Sequence, residues 1–316
     1  MSRDRGQLLL VGAIGLAIIL VALALALNTA VVGELSAAQA GQSVSEERAV
    51  IHFVDGVERG IGGLLPLAYS GDVDYDEVEA AFETDVERWH DLASVYDAAD
   101  GAFTTVSILD IEVGSRVIQN ESSTFTAHDG SEHWTLAEDV SEIDSFNMTV
   151  TNESLVTSDD CVNDGCFSLN VSDGVDDWSL TIWTPNASTD NLRVSVTTAN
   201  GSVDTCSTTN TSVEINVTDG VVDDGAETCN FTPFTDDVAL DSPYSISYAH
   251  GANVSGTYEA HFPERIASPS IRDDPRYDTR ENPRVDPTVR ATEVQVTYRS
   301  PSVTFDTSRD LEVADD

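Results

Sequence analysis

The chain contains no lysine, so its 15 basic residues are all arginines, set against 56 aspartates and glutamates and a net charge of −41 over 316 residues. So few cations cannot neutralise phosphates in number, which excludes nucleic acid as a partner. A lysine-free acidic composition is typical of proteins that work in near-saturating salt. There a Debye length of about 3 Å or less screens the repulsion between carboxylates. Apolar lysine stems would add surface that strong salt drives together.

Motifs of catalysis are also missing. The sequence holds no Gly-x-Ser-x-Gly elbow, phosphate-binding loop, dinucleotide fingerprint or His-Glu-x-x-His motif. His128 and His133 lie with Asp129 and Glu132 in a polar turn. Because they lack the i, i+4 spacing of metal ligands on a helix, a solvated loop is favoured over a metal site. The sequence therefore predicts no enzyme activity, no cofactor and no metal.

One acidic stretch is similar in its spacing to the twelve-residue calcium loop of an EF-hand. Asp72, Asp74 and Asp76 alternate with other residues, and Glu83 stands at the twelfth place of such a loop. The sixth place has to turn sharply and requires glycine, but here it is Glu77. We interpret the stretch as the acidic first turn of a helix, where carboxylates face the positive end of the helix dipole.

One long run of the chain lacks charge altogether. Gln7–Leu27 spans 21 uncharged residues, which as a helix cross about 30 Å, the thickness of the hydrocarbon core of a bilayer. Arg3 and Arg5 precede the run, and Glu34 is the first charge after it. The positive-inside rule therefore places a leader, residues 1–6, in the cytoplasm and the bulk of the chain outside. The sequence predicts a single-pass protein of the cell membrane.

Two kinds of processing compete with a permanent anchor. A secretory signal peptide has a shorter apolar region and a cleavage site of small residues, and Ala38-Gln39-Ala40 would serve as that site. The other alternative keeps the helix and removes only the leader. Arg5-Gly6-Gln7 before a long apolar run resembles the class III signal of archaeal type IV pilins, in which a prepilin peptidase cuts after the glycine. Val11 stands where pilins commonly carry a glutamate.

A wider resemblance rests on the N-terminal segment DRGQLLLVGAIGLAIILVALALALNTA and a later Gly62-Gly63-Leu64-Leu65 stretch. On a lysine-free acidic chain these features are similar to a haloarchaeal family of pilin-like membrane proteins without an established function. The resemblance implies a salt-loving archaeal source. It also implies as partners the bilayer, other copies or pilin-like subunits, and a prepilin peptidase acting between Gly6 and Gln7.

Residues 33–100 show helical periodicity and are predicted to form a membrane-proximal pair of helices. Apolar residues recur at spacings of three and four from Val50 to Ala68, and three glycines near residue 62 weaken the pattern there. A second helix is predicted after Gly71. Its expected buried face consists of Val78, Ala81, Phe82, Val86, Trp89, Leu92, Ala93 and Tyr96.

Residues 101–316 are predicted to form a β-rich extracellular domain, because short segments alternate apolar and polar residues as in a sheet with one wet face. The clearest runs are Thr105–Ile108, Ile111–Val113, Phe146–Val150, Phe167–Val171, Trp178–Trp183, Leu192–Val196, Val213–Val217, Tyr244–Tyr248 and Val294–Tyr298. Residues 263–290, rich in proline and arginine, are interpreted as an extended surface loop. The predicted fold class is α+β: a transmembrane helix and an amphipathic helical pair, then an antiparallel, sandwich-like domain.

The cysteines and asparagines agree with an exterior location. Cys161, Cys166, Cys206 and Cys229 make an even set, which outside the cell favours disulfides. Three pairings are possible, and we favour the two local ones, Cys161–Cys166 and Cys206–Cys229. Nine asparagines begin Asn-x-Ser/Thr sequons and are candidate glycosylation sites: Asn120, Asn147, Asn152, Asn170, Asn186, Asn200, Asn210, Asn216 and Asn253. Asn230 is a poorer candidate, because Pro233 follows its triplet.

The sequence thus predicts a membrane-anchored, acidic surface protein of a halophilic archaeon. The leading hypothesis is a pilin-like or cell-envelope structural subunit. A monomeric anchored binding or adhesion module is the alternative, and a defined pocket would favour it. An anchored hydrolase ranks third and requires a cluster of convergent polar groups in a cleft.

Overall fold

A computed structural model describes residues 47–65, 73–99, 101–186, 190–267 and 270–313. Strands account for 46% of these residues and helices for 20%. The helices are α1 (residues 47–62), α2 (Tyr75–Ala99) and the short α3 (Cys161–Asp164), with 3₁₀ turns at Phe234–Asp236 and Gly251–Asn253.

Fifteen strands follow α2, and most alternate buried with exposed residues as the sequence pattern predicts. They are β1 (Phe103–Thr124), β2 (Trp134–Val140), β3 (Ser145–Thr151), β4 (Thr157–Ser158), β5 (Phe167–Ser172), β6 (Asp177–Pro185), β7 (Leu192–Thr197), β8 (Val203–Thr208), β9 (Ser212–Asn216), β10 (Val221–Asp223), β11 (Thr228–Asn230), β12 (Tyr244–Ala249), β13 (Ser255–Phe262), β14 (Arg284–Arg299) and β15 (Thr304–Glu312).

The strands form two sheets. An eight-stranded antiparallel sheet has the order β11-β10-β9-β3-β13-β1-β14-β15, and the second has the order β2-β12-β5-β6-β7-β8 with β4 added to β6 in parallel. One large apolar core takes side chains from both sheets, including the fully buried Phe146, Leu169, Trp178 and Tyr248. The sheets therefore pack face to face as a sandwich.

A second core lies under the helices. β1 and β14 are long enough to run on from the sandwich, and their far halves, with β15, form the floor on which α1 and α2 pack. Val57, Ile61, Val78 and Phe82 are fully buried in this layer. Gly60 of α1 lies against the indole ring of Trp89 in α2, so the two helices pack on each other as well.

The start of α2 is capped by acidic residues, as expected if this segment forms the first turn of a helix. Glu77 accepts a hydrogen bond from the backbone N–H of Asp74 at 2.8 Å, and the N–H of Glu77 donates back to the Asp74 carbonyl. Such reciprocal capping satisfies N–H groups that a helix leaves unpaired at its first turn. Asp72 lies outside the described residues, and those that are described contain no group of three or more acidic, histidine or cysteine residues able to hold a metal ion.

The end of α2 departs from the predicted buried face. Val78, Phe82 and Val86 are buried, but Leu92 and Tyr96 are exposed. The apolar stripe continues in the sequence as far as Tyr96, but only its first part is buried, and periodicity alone cannot show where the burial stops.

The predicted α+β fold class is wrong for the part of the chain that the structure describes. Antiparallel sheets dominate it, and the helices form one layer on strands that belong to the sandwich sheet, rather than a separate region preceding it. None of its helices combines the length and hydropathy needed to cross a bilayer. The predicted transmembrane helix at 7–27 and the Gly6–Gln7 junction lie outside the described residues.

The segment predicted as a loop at 263–290 is more integrated than its composition indicates. Ile266, Ile271 and Tyr277 are buried in the sandwich core, and β14 already begins at Arg284. Pro287 fits within this strand because β15 pairs only with residues 291–299, so that β14 is an edge strand at Pro287.

Candidate functional site

An open groove of about 680 Å³ lies on the outer face of the eight-stranded sheet, across β10, β9, β3, β13 and β1. Strand register builds it from rows of side chains that stand opposite one another. The first row is Val221, Asn216, Asn147, Glu259 and Ile118. Neighbours in such a row have Cβ atoms about 5 Å apart.

A second row runs beside the first and is polar throughout. It consists of Asp223, Glu214, Thr149 and Thr257. The residues between the rows, such as Met148 and Ile215, point the other way and are buried in the sandwich core. The alternation of these strands therefore places a polar floor directly above the apolar core.

The middle of the groove offers hydrogen-bonding groups that the protein itself leaves unused. Asn147 is exposed, and Thr149 and Thr257 are half-buried. The Asn147 amide and the two hydroxyls make no hydrogen bond with other described residues. An amide has two donors and an acceptor, and a hydroxyl is both donor and acceptor.

The ends of the groove are held by their own hydrogen bonds. Asn216 donates from Nδ2 to the Asp219 carboxylate at 2.7 Å and accepts from the backbone N–H of Asp219 at 2.8 Å, which fixes the turn after β9. At the other end Asn120 accepts from Nδ2 of Asn282 at 3.2 Å. These two amides are thus held in place, whereas the Asn147 amide between them is not.

An ionic network borders the groove. The row next to the first is Ser145, His261, Arg116 and Asp286. Arg116 Nε donates to Glu259 Oε1 at 2.8 Å, and His261 Nε2–H donates to the same oxygen at 2.7 Å. Asp286 is fully buried between the guanidinium groups of Arg116, at 3.6 Å, and Arg284, at 3.1 Å.

These contacts set the charge of Glu259, one of the four carboxylates that line the groove. The hydrogen bond from His261, followed by that from Arg116, lowers the pKa of Glu259 to about 2 against the opposing effect of its partial burial. Glu259 is therefore ionised at neutral pH, where its carboxylate accepts hydrogen bonds and has no proton to donate.

The four cysteines pair as Cys161–Cys166 and Cys206–Cys229, which is the pairing favoured among the three possible ones. The first disulfide closes the turn that contains α3. The second joins β8, at the edge of one sheet, to β11, at the edge of the other. It therefore ties the two layers of the sandwich together.

The sequons are spread over both sheets and their turns. The sequon asparagines that are exposed are Asn120, Asn147, Asn186, Asn200, Asn210 and Asn230. Those that are half-buried are Asn152, Asn170, Asn216 and Asn253. The amide of Asn253 donates to the Gly165 carbonyl at 2.8 Å. Three of the sequons, at Asn120, Asn147 and Asn216, line the groove.

The histidines singled out in the sequence stay at the surface. His128 and His133 are exposed, with His128 Nε2 at 3.7 Å from Asp278 and the His133 ring against that of His250. Trp134 and Trp178 are buried in the core, and Trp183 is half-buried beneath Arg193.

Sequence reasoning did not find the groove or its ionic border. Asn147 and Asn216 were singled out only as sequons, and Arg116, Glu259 and Asp286 were not singled out at all. The alternation of β3, β9 and β13 does indicate which residues face outward. Which strands lie side by side, and in which register, is set by tertiary pairing that no local pattern contains.

Comparison of the chain with protein-family models, with curated proteins and with solved structures finds no match. No relative therefore assigns a ligand or a reaction to the groove.

Proposed function

We propose that this chain is a membrane-anchored, acidic surface protein of a halophilic archaeon, and that its sandwich is a binding module. The groove takes a neutral, polyhydroxylated ligand such as a sugar chain. The observation that carries this proposal is the amide of Asn147 and the hydroxyls of Thr149 and Thr257, which make no hydrogen bond with other described residues. They lie in the middle of a groove of about 680 Å³, a volume within the range of small-molecule sites.

The charge of the groove selects the class of ligand. Glu214, Asp219, Asp223 and Glu259 line it, and Arg116 is already paired with Glu259 and Asp286. Anionic ligands therefore find no unpaired cation among the residues that line the groove, whereas hydroxyl groups find carboxylate acceptors and amide donors together.

Binding is a better proposal than hydrolysis. Glycoside hydrolysis needs one carboxyl group kept protonated as the acid and a second one ionised. The hydrogen bonds from His261 and Arg116 lower the pKa of Glu259 to about 2, so Glu259 cannot supply the proton, and its ionised carboxylate is suited to accepting hydrogen bonds from a ligand.

The test is a titration of the full-length protein in nanodiscs, in concentrated KCl, with a panel of neutral oligosaccharides. Asn147→Ala is expected to weaken binding by about tenfold, since a lost hydrogen bond is worth about 1.5 kcal/mol. Asn170→Ala is the matched control, because Asn170 is a sequon asparagine in the middle of β5 on the other sheet. Failure of every oligosaccharide to bind, or equal losses in the two variants, would contradict the proposal.

A pilin-like or envelope structural subunit is the second candidate function. It is favoured by the sequons at Asn120, Asn147 and Asn216, because glycans on them would fill the groove with the protein's own sugars. Its partners are other copies or pilin-like subunits and a prepilin peptidase. The mass and N-terminal sequence of the protein from its native membrane test it. A start at Gln7 would support pilin-type processing, an intact leader would support a plain anchor, and a start near Gly41 would contradict the anchor.

A further inference from the structure

One end of the molecule collects the start of α1, the end of α2 and the start of β1. The ring of Phe53 in α1 lies 5.9 Å from that of Tyr298, which is paired with Thr104 of β1. Thr104 Oγ1 in turn donates to Asp97 near the end of α2 at 2.9 Å. We call this end the helical pole.

Large apolar side chains are exposed around the helical pole. Ile51, Leu92, Val95, Tyr96 and Phe103 are between 58% and 76% exposed. Leu92, Val95 and Tyr96 follow the spacing of three and four that places side chains on one helix face. The other exposed large apolar residues in the described ranges lie outside this set, at Leu109, Val175, Val203 and Val238.

Such a patch has an energetic cost for a protein in brine. Strong salt increases the tendency of apolar surface to leave water. Contiguous apolar patches on soluble surfaces mark contact sites for proteins or membranes. The exposed side chains of the helical pole therefore offer apolar surface that a partner could cover.

We propose that the helical pole rests on the lipid bilayer, with the side chains of Leu92, Val95, Tyr96 and Phe103 entering the boundary between headgroups and acyl chains. This inference rests on the membrane anchor of the proposed function. The uncharged run ends at Leu27, and α1 begins at residue 47. The segment between them spans at most about 65 Å even when fully extended.

α1 is the first helix of the described residues, and its start lies towards the helical pole, so along the chain this end of the domain is the nearest to the anchor. Tyrosine is enriched at membrane interfaces, where its ring is buried and its hydroxyl stays wet. Glu87 and Asp91 on the same half of α2 give anionic lipids no attraction. The contact is therefore driven by the apolar side chains, and the polar face of the helix adds no electrostatic attraction to it.

The test uses the full chain reconstituted in concentrated KCl into vesicles of phosphatidylcholine with brominated acyl chains, which quench tryptophan fluorescence on contact. Tyr96→Trp places a reporter at the helical pole. Val238→Trp is the control, because Val238 is 95% exposed and follows the 3₁₀ turn Phe234–Asp236, which belongs to the sandwich. Brominated lipid is expected to remove most of the emission added by Tyr96→Trp and none of that added by Val238→Trp. Adding Leu92→Ser and Val95→Ser to Tyr96→Trp should restore emission.

The outcomes separate the two proposals. A chain that does not enter the vesicles at all refutes the anchor. A chain that is anchored but shows equal quenching at positions 96 and 238 refutes the pole contact alone. Unquenched Tyr96→Trp together with dimers in mass photometry would show that a second copy covers the pole, which also overturns the proposal.

Discussion

At the scale of single residues, Asp286 is a buried carboxylate whose charge has to be balanced by neighbouring arginines. It is fully buried and depends on Arg116 and Arg284 for its charge partners. Removing one partner from a buried ion pair is strongly destabilising, because the remaining charge loses its compensation.

Arg116→Gln is therefore expected to lower the free energy of unfolding by about 2 kcal/mol, because Asp286 keeps Arg284 as its one charge partner and Glu259 loses one of its two donors. Arg309→Gln is the control, because its bridge to Glu58 at 3.2 Å lies at the surface, and such bridges contribute less than about 1 kcal/mol. Denaturant unfolding of both variants gives the two values. Equal losses would show that the network around Asp286 contributes no more than a surface pair.

Glu259 gives the site a defined pH dependence. Its folded-state pKa of about 2 lies below its ordinary value of 4.5, so its ionised form stabilises the fold above the unfolded pKa, and this contribution disappears as the pH falls towards the folded pKa. The side chain is 38% exposed, so solvent reduces the effect.

The melting temperature of the parent protein should exceed that of Glu259→Gln at neutral pH, and the gap should narrow between about pH 5 and about pH 2. Thermal melts followed by circular dichroism at several pH values measure the gap. A gap that stays constant with pH would mean that the pairing with His261 and Arg116 does not stabilise the fold.

At the scale of elements, the contact between α1 and α2 is set by a glycine that weakens the sequence pattern. A Cβ atom at Gly60 would overlap the indole ring of Trp89, whereas one at Gly56 in the same helix would meet nothing within 4 Å. The two positions share a helix and differ in what faces them.

Gly60→Ala is expected to destabilise the protein by about 1 kcal/mol or more, since an added methyl in a packed contact forces its neighbours to move. Gly56→Ala should stabilise it by up to about 1 kcal/mol, because alanine restricts the unfolded chain and favours the helix. Thermal unfolding of the two variants tests the pair. Stabilisation by both would mean that Trp89 yields without cost.

The alternation of apolar and polar residues predicts where strands occur in this chain better than it predicts where each strand begins and ends. Alternation identifies runs such as Phe146–Val150 because one face is buried and the other wet. It breaks down in β1, where bulges interrupt the register after Ile108 and Glu112, and residues 113–115 and 117–119 are all buried. There both faces of the strand are covered, so period-two alternation disappears.

At the scale of the whole molecule, the acidic surface and the groove depend on different kinds of information. The lysine-free composition predicts the salt habit because net charge acts collectively. The groove depends on β9, β3 and β13 lying side by side, although long stretches of chain separate them. Composition and periodicity do not contain that pairing.

Dilution of salt should destabilise the fold as a whole. Lowering KCl from about 3 M to about 0.2 M lengthens the Debye length to roughly 7 Å, so that surface carboxylates repel one another. With a net charge of −41, the melting temperature is expected to fall steeply, and sucrose, which does not screen charge, should not replace the salt fully. A melting temperature independent of KCl would contradict the halophilic interpretation.

The most direct test of an open binding groove on an exterior domain is site-by-site glycopeptide mass spectrometry of the protein from its native membrane. Our prediction is that exposed turn asparagines such as Asn200 carry glycans and that Asn147 is unmodified, so that its amide stays available to a ligand. Sugars attached to Asn147 in most molecules would contradict it, because the groove would then be filled by the protein's own glycans.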